Sequence, residues 1–137
     1  YSLRNYQRTL EDYSDYVEIA RNAGAGETLD RIIPEIYNEA MFPGTAMLYS
    51  FPSYVYSLWQ EYSVEELEYI ASFCKEKGIP AATVYWEYWS EETEKIFEKN
   101  GISLYVYTVN DRDQARRYIS QGAEGICTDF LTAEDLW

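Results

Sequence analysis

Histidine is absent from this chain of 137 residues, and basic residues are scarce. Without histidine no Ser-His-Asp triad can form, and the chain lacks the one side chain that ordinarily titrates near neutrality. Lysine and arginine together number 11 against 24 acidic residues, which gives a formal net charge of −13. An acidic surface repels the phosphate backbone, so we do not expect a nucleic-acid partner.

Cysteine and long apolar runs are also lacking. Cys74 falls in a helical pattern and Cys127 in a strand pattern, each among apolar neighbours, which predicts two buried free thiols. With no histidine and no close cysteine pair, a zinc site is not expected. No apolar run approaches the roughly 20 residues of a membrane helix, so we predict no transmembrane segment. No signal-peptide pattern follows Tyr1, and together with free cysteines this favours a cytoplasmic location.

A repeat of glycines organises the second half of the chain. Gly78, Gly101 and Gly122 recur at intervals of 23 and 21 residues. Each follows a helical pattern and precedes an apolar run, which is typical of a helix that ends at a left-handed glycine and leads directly into a strand. The repeat therefore predicts successive units of a strand followed by a helix.

Capping residues mark where two of these helices begin. Ser63 and Glu66 form a predicted capping box at the start of a helix over Val64–Lys77. Asp111 with Gln114 supplies a comparable start for a later helix.

The remaining pattern predicts a leading helix over residues 6–23 and five short strands. The strands are rich in β-branched and aromatic residues and nearly continuous in apolar character, as in parallel sheets covered on both faces. We therefore predict a single α/β domain over residues 1–137, with parallel βα units over 31–137. An eight-stranded barrel needs about 250 residues, so five strands leave an edge to be covered. The predicted strands are Arg31–Tyr37, Tyr54–Leu58, Ala81–Tyr85, Ile102–Val109 and Gly125–Thr128.

Aromatic residues dominate the C-terminal ends of the predicted strands, where ligands bind in parallel α/β folds. Such rings can stack on a polyol face or enclose an apolar alcohol group. Alternatively, they pack beneath loops, because tyrosine is frequent throughout this chain (15 residues). The predicted substrate-binding residues are Glu35, Tyr37, Tyr56, Trp59, Tyr85, Trp86 and Tyr107.

Three carboxylates also lie at predicted strand ends. Glu35, Glu87 and Asp129 are oxygen ligands of the kind that hard cations prefer. The alternative is that each faces solvent or caps a helix. Asn110 and Asp111 are interpreted as a helix cap rather than as ligands.

Four segments of the chain carry a resemblance to a known family. They are Arg31–Asn38 (RIIPEIYN), Tyr56–Trp59 (YSLW), Tyr105–Asn110 (YVYTVN) and Gly125–Phe130 (GICTDF). In this spacing they resemble the C-terminal part of a glycerophosphodiester phosphodiesterase barrel, which is a TIM-like (β/α)8 fold. The resemblance implies that the last two segments are the final strands of that barrel.

The resemblance also implies an activity whose chemical groups lie outside these segments. The family hydrolyses glycerophosphodiesters to glycerol 3-phosphate and an alcohol, using histidines as acid and base and carboxylates that hold Ca²⁺ or Mg²⁺. Those motifs would precede Tyr1. Tyr107 stands where relatives usually have histidine or tryptophan, and Glu35 where they usually have glutamine. We therefore expect this chain alone to be inactive, with no catalytic residue and no metal ligand of its own.

Two further hypotheses remain open. In the first, the chain is a non-catalytic binding or regulatory module for a polyol or phosphate ester. In the second, it is an interaction and oligomerisation module. For the barrel hypothesis the expected partner is the missing N-terminal half-barrel or a second copy of the chain. We expect that partner to cover an inner face formed by Ile33, Val55, Val84, Val106 and Ile126.

Overall fold

The computed structural model describes the backbone of residues 3–137 and the side chains from residue 6 onward. Two compact units are distinguished within the chain, Tyr1–Tyr54 and Val55–Trp137. The interpretation of the chain as a single domain therefore stays a prediction, and each unit is described by itself.

The first unit is mostly helical. It contains α1 (Leu3–Asn22), a 3-10 helix (Gly26–Arg31), a two-residue strand β1 (Glu35–Ile36) and α2 (Met41–Leu48). The predicted leading helix is confirmed. The predicted strand over residues 31–37 is wrong except for β1, since Pro34 has no amide hydrogen to donate and disfavours helical geometry at the residue before it.

Close contacts hold α1 against α2 and β1. A Cβ atom at Gly44 of α2 would lie 3.1 Å from Cδ1 of Leu10, so the two helices approach closely there. The Tyr13 hydroxyl donates a hydrogen bond to the Glu35 carbonyl (3.0 Å) and accepts one from the Glu35 amide (3.2 Å). Burial raises the pKa of Tyr13 above its ordinary value.

The second unit is a parallel α/β layer. Its elements are β2 (Val55–Leu58), α3 (Val64–Lys77), β3 (Ala81–Tyr85), a short 3-10 helix (Trp86–Tyr88), α4 (Glu91–Lys99), β4 (Ser103–Tyr107), α5 (Arg112–Ser120), β5 (Gly125–Ile126) and α6 (Ala133–Leu136). Strands β2 to β5 pair in parallel and in chain order. The predicted α/β class, with five strands interleaved with helices, is confirmed.

The helix boundaries in this unit follow from the caps read in the sequence. Ser63 and Glu66 form the predicted capping box at the start of α3. The Asp111 side chain accepts a hydrogen bond from the Gln114 amide (2.7 Å) and so begins α5. Gly78 ends α3 with a φ of 70°, a left-handed conformation that disfavours residues with a Cβ atom.

The two faces of the sheet formed by β2 to β5 differ sharply in burial. One face, called the helix face below, carries Tyr56, Leu58, Ala82, Val84, Leu104 and Val106, and each is 2% exposed or less. The other, called the open face below, carries Ser57, Thr83, Tyr85, Ser103, Tyr105 and Tyr107, which apart from Ser57 are half-buried. The Tyr56 ring contacts Phe73 of α3, with centroids 6.4 Å apart, so the helices cover the first face.

The prediction of which residues await a partner requires a correction. Val84 and Val106 are already buried by this chain, at 2% and 0% exposure, because they lie on the helix face. Val55 and Ile126 are half-buried, and Ile33 is exposed in the first unit. The half-covered residues are those of the open face, which lies one position away from the predicted residues in β3 and β4 and which includes Val55 itself in β2.

Two further sequence predictions concern cysteines and membrane helices. Neither cysteine takes part in a disulfide within the described residues; Cys74 is buried as predicted, whereas Cys127 is half-buried rather than buried. Within residues 3–137, no helix combines the length and apolar character needed to cross a bilayer.

Candidate functional site

Tyrosine rings occupy the C-terminal end of the open face. Tyr85 of β3 and Tyr107 of β4 are register partners, and their ring centroids lie 5.8 Å apart at an angle of 57°. The Tyr85 ring also contacts Trp86 (5.7 Å) and Tyr88 (5.8 Å) in the turn that follows. The end of β3 is therefore the centre of an aromatic cluster.

The Tyr107 hydroxyl reaches across β3 to the end of β2. It donates a hydrogen bond to the Leu58 carbonyl at 3.4 Å and accepts one from Oγ of Ser57 at 3.5 Å. Ser57 is 2% exposed, so its hydroxyl lies beneath the tyrosine. This arrangement places two hydroxyl groups and a carbonyl at one polar point beside the aromatic cluster.

Tyr105 lies on the same face, two residues before Tyr107 in β4. Its ring lies toward β5, whereas the Tyr107 ring lies toward β2. A Cβ atom at Gly125 of β5 would lie 2.7 Å from the Tyr105 ring, closer than real contacts allow. The ring therefore lies directly against the β5 backbone, and the absence of a side chain at Gly125 makes that approach possible.

The other predicted substrate-binding residues of the second unit are placed differently from these rings. Tyr56 lies on the helix face at 2% exposure, so it cannot touch a ligand on the open face. The reason is strand alternation, since its neighbour Ser57 takes the opposite side. Trp59 follows the end of β2 and Trp86 follows the end of β3, and both are half-buried.

Glu35 and Tyr37 lie in the first unit. Glu35 is exposed, and its backbone is held by Tyr13. Tyr37 is 8% exposed, and its hydroxyl shares a hydrogen bond with Oγ1 of Thr9 at 3.0 Å. In this unit Tyr37 therefore takes part in packing.

The strand-end carboxylates do not converge on a cation site. Asp129 accepts a hydrogen bond from Nδ2 of Asn110 (2.8 Å), whose Oδ1 accepts hydrogen bonds from the Asp129 amide and the Thr128 hydroxyl (both 3.0 Å). These contacts join the ends of β4 and β5. Among the described residues, no group of three or more carboxylate, cysteine or histidine side chains is arranged to hold a metal. The residues present here therefore do not fit the divalent cation that the family resemblance implies.

The chemistry available on the open face is hydrogen bonding and ring stacking. Hydroxyl groups with aromatic neighbours suit a polyol or a phosphate ester. The sequence reasoning missed Ser57 and Tyr105 as members of this face. The i, i+2 spacing of Tyr105 and Tyr107 was the signal that could have identified the face.

Comparisons with known proteins agree with this architecture. A search of curated proteins gives no match. A solved structure from Silicibacter pomeroyi DSS-3, of a protein named "Putative glycerophosphoryl diester phosphodiesterase", superposes with a TM-score of 0.69 at 15% sequence identity. The likeness covers 93% of this chain and 43% of that one, so this chain spans less than half the length of its solved relative.

At that identity the structural likeness shows the fold alone. A family model supplies the assignment, because the model of the glycerophosphoryl diester phosphodiesterase family matches residues 45–133. The match includes α3, α4 and α5, the strands β2 to β5 and the whole open face. This chain belongs to the glycerophosphoryl diester phosphodiesterase family.

Proposed function

We propose that this chain is the C-terminal portion of a glycerophosphodiester phosphodiesterase barrel and has no hydrolytic activity alone. Its parent would hydrolyse glycerophosphodiesters to glycerol 3-phosphate and an alcohol. The observation that carries the proposal is the family match over residues 45–133. The 43% coverage of the solved relative supports a partial barrel.

The contribution of this chain to that reaction would be binding and orientation. The Tyr107 hydroxyl can hydrogen-bond a glycerol or phosphate oxygen while the buried Ser57 hydroxyl donates to it from beneath, and the Tyr85 ring can pack against the alcohol carbon atoms. Residues outside this chain would transfer the protons, since no histidine is present here. Residues outside this chain would also hold the Ca²⁺ or Mg²⁺ ion.

The missing N-terminal half-barrel, or a second copy of the chain, would be the partner. The half-buried open face supports this proposal, because in a closed barrel that face is packed against side chains from the other strands.

An assay of the purified chain tests the proposal of inactivity. We expect no release of glycerol 3-phosphate from glycerophosphocholine, with or without Ca²⁺ or Mg²⁺, in a sample whose circular dichroism shows folded α/β structure. Turnover that rises in proportion to protein concentration and disappears in Glu35→Gln would contradict it.

A second candidate is a non-catalytic module that binds a polyol or phosphate ester. The polar point formed by Ser57 and Tyr107 beside the Tyr85 ring favours this candidate. Titration of the chain with glycerol 3-phosphate by calorimetry tests it, with Tyr107→Phe as the variant and Tyr69→Phe as the control, because Tyr69 is 63% exposed on α3. Binding that weakens only in Tyr107→Phe supports the module. No binding, or equal weakening in both variants, contradicts it.

A further inference from the structure

The second unit contains a pocket that is separate from the open face. It has a volume of about 240 Å³ and lies on the helix side of the sheet, among the ends of β2 and β3 and the first turns of α3 and α4. Its floor is apolar, since Leu58, Leu67 and Val84 are all at most 7% exposed. The pocket is smaller than most sites for drug-sized ligands, which limits its occupant to a small molecule or group.

Aromatic side chains line the pocket above this floor. Tyr62, Tyr88 and Trp89 are half-buried. Trp89 is held by two residues that do not line the pocket. Its indole nitrogen donates a hydrogen bond to Oε1 of Gln121 (3.0 Å), and its ring contacts Tyr118 (centroids 5.8 Å apart). The indole is therefore held in one position.

The exposed lining residues give the pocket its charge. Glu61, Glu87 and Glu92 are three carboxylates from three different segments of the chain. None of the residues that the structure describes around the pocket is positively charged, and none of these three glutamates forms an ion pair with a side chain of residues 6–137. A bound cation would thus meet negative charge from several sides.

The first turns of α3 and α4 oppose a cation through the helix dipole, but this effect is offset. The Ser63 side chain accepts a hydrogen bond from the Glu66 amide (3.2 Å), and the Ser90 side chain accepts one from the Thr93 amide (3.0 Å). Each cap satisfies one of the amides that a helix start leaves without an intrahelical partner. Three full negative charges also exceed the roughly one positive charge that two helix starts supply together.

We propose that this pocket binds a small alkylated ammonium cation. Aromatic rings and carboxylates together attract such a cation through its diffuse charge, while the methyl groups contact the apolar floor. An anion would be repelled by the glutamates, and a neutral ligand would gain no attraction from their charge. The proposal does not depend on the proposed function, since neither Ser57 nor Tyr107, whose hydroxyls form the polar point, lines this pocket.

Tetramethylammonium is the probe, and neopentyl alcohol, a neutral compound of similar size, is its control. Both are titrated into the isotopically labelled chain while the backbone amides of residues 87–92 and the Trp89 indole are followed by NMR. We expect saturable shifts with tetramethylammonium that weaken with added salt, and binding of the alcohol that is at least about tenfold weaker.

Two matched variants locate the site. Glu91 and Glu92 are adjacent exposed residues of the first turn of α4, but only Glu92 lines the pocket. We expect Glu92→Gln to raise the dissociation constant about two- to fivefold and Glu91→Gln to leave it nearly unchanged. Equal affinity for cation and alcohol, equal effects of the two variants, or shifts that map elsewhere would overturn the proposal.

Discussion

The two faces of the β2–β5 sheet differ in how completely this chain covers them. On the helix face, Ala82, Val84, Leu104 and Val106 are all at most 2% exposed beneath helices of the same chain. On the open face, Thr83, Tyr85, Tyr105 and Tyr107 of the same two strands remain half-buried. Adjacent residues of one strand therefore have different surroundings.

Because of this difference, neighbouring residues of one strand contribute to different properties, namely stability on the helix face and binding or association on the open face. The helix face supplies a packed apolar layer that specifies the βα order. The open face carries hydroxyl groups and rings whose neighbours are incomplete in this chain. Substitutions on the first face should change the free energy of unfolding, and those on the second should mainly change binding or association, except at Gly125, where the Tyr105 ring lies against the backbone.

The largest expected effect comes from truncating the helix face. Leu104→Ala should lower the free energy of unfolding by about 2–5 kcal/mol, because it removes a buried side chain and leaves a cavity. The neighbouring Ser103→Ala, on the open face, should change it by about 0.5 kcal/mol or less. Urea denaturation of both variants measures the difference, and similar losses would contradict the contrast between the faces.

The next effect concerns the close approach of the Tyr105 ring to Gly125 on the open face. Gly125→Ala should cost about 1–3 kcal/mol, because its methyl group would collide with the Tyr105 ring. Combining it with Tyr105→Ser should recover most of that loss, since the obstructing ring is then absent. A double-mutant cycle of unfolding free energies that shows simple additivity would disprove the contact.

A smaller effect is expected where Tyr13 fixes α1 to β1. Tyr13→Phe should cost about 1 kcal/mol, because the Glu35 backbone loses both hydrogen bonds. The Tyr13 pKa is raised by burial, so the folded state retains this proton at a pH where the unfolded chain has lost it. The Tyr13 contribution is therefore complete below the unfolded pKa, near 10, and is lost as the pH rises through the folded value.

Thermal melts at neutral and alkaline pH test this prediction. The wild-type chain should lose more stability in the alkaline range than Tyr13→Phe does. Tyr16→Phe is the control, because Tyr16 is 58% exposed on the same helix. Parallel pH profiles for wild type and Tyr13→Phe would contradict the role of this hydroxyl.

The smallest expected effect lies in α6. Hydrogen bonds from the Thr132 amide and hydroxyl lower the pKa of Asp135, so its charged form is favoured in the folded state. Its contribution is present above the unfolded pKa and is lost as the pH falls through the folded value. Amide exchange in residues 132–136 should therefore accelerate at acid pH in the wild type, and Asp135→Asn should show fast exchange throughout. Exchange independent of pH in the wild type, beyond its intrinsic dependence, would contradict this.

The βα order was predictable because its signals are local. Ser63 with Glu66, Asp111 with Gln114, and the glycine after α3 each satisfy backbone groups within a few residues, so sequence alone predicts them. The length of the strand before Tyr37 was overestimated. The apolar residues of this segment are typical of a strand, but Pro34 limits its pairing.

The orientation of the strands was harder to predict than their position. In nearly continuous apolar strands such as β3 and β4, valine and tyrosine both suit a buried position, so the sequence does not say which row faces the helices. Val84 and Val106 were placed on the wrong side for this reason. The pocket beside Glu92 depends on three segments meeting in space, which no local pattern encodes.

The association state tests the central claim, that the open face is completed by further protein. Light scattering on the purified chain at tens of micromolar should give at least twice the 16.1 kDa of one chain, because the half-buried face pairs with a second copy when no other partner is present. The associated fraction should fall when Tyr85 and Tyr107 are both replaced by serine. A monomer mass of 16.1 kDa with a cooperative thermal melt would show that the open face needs no cover, and would contradict the half-barrel account.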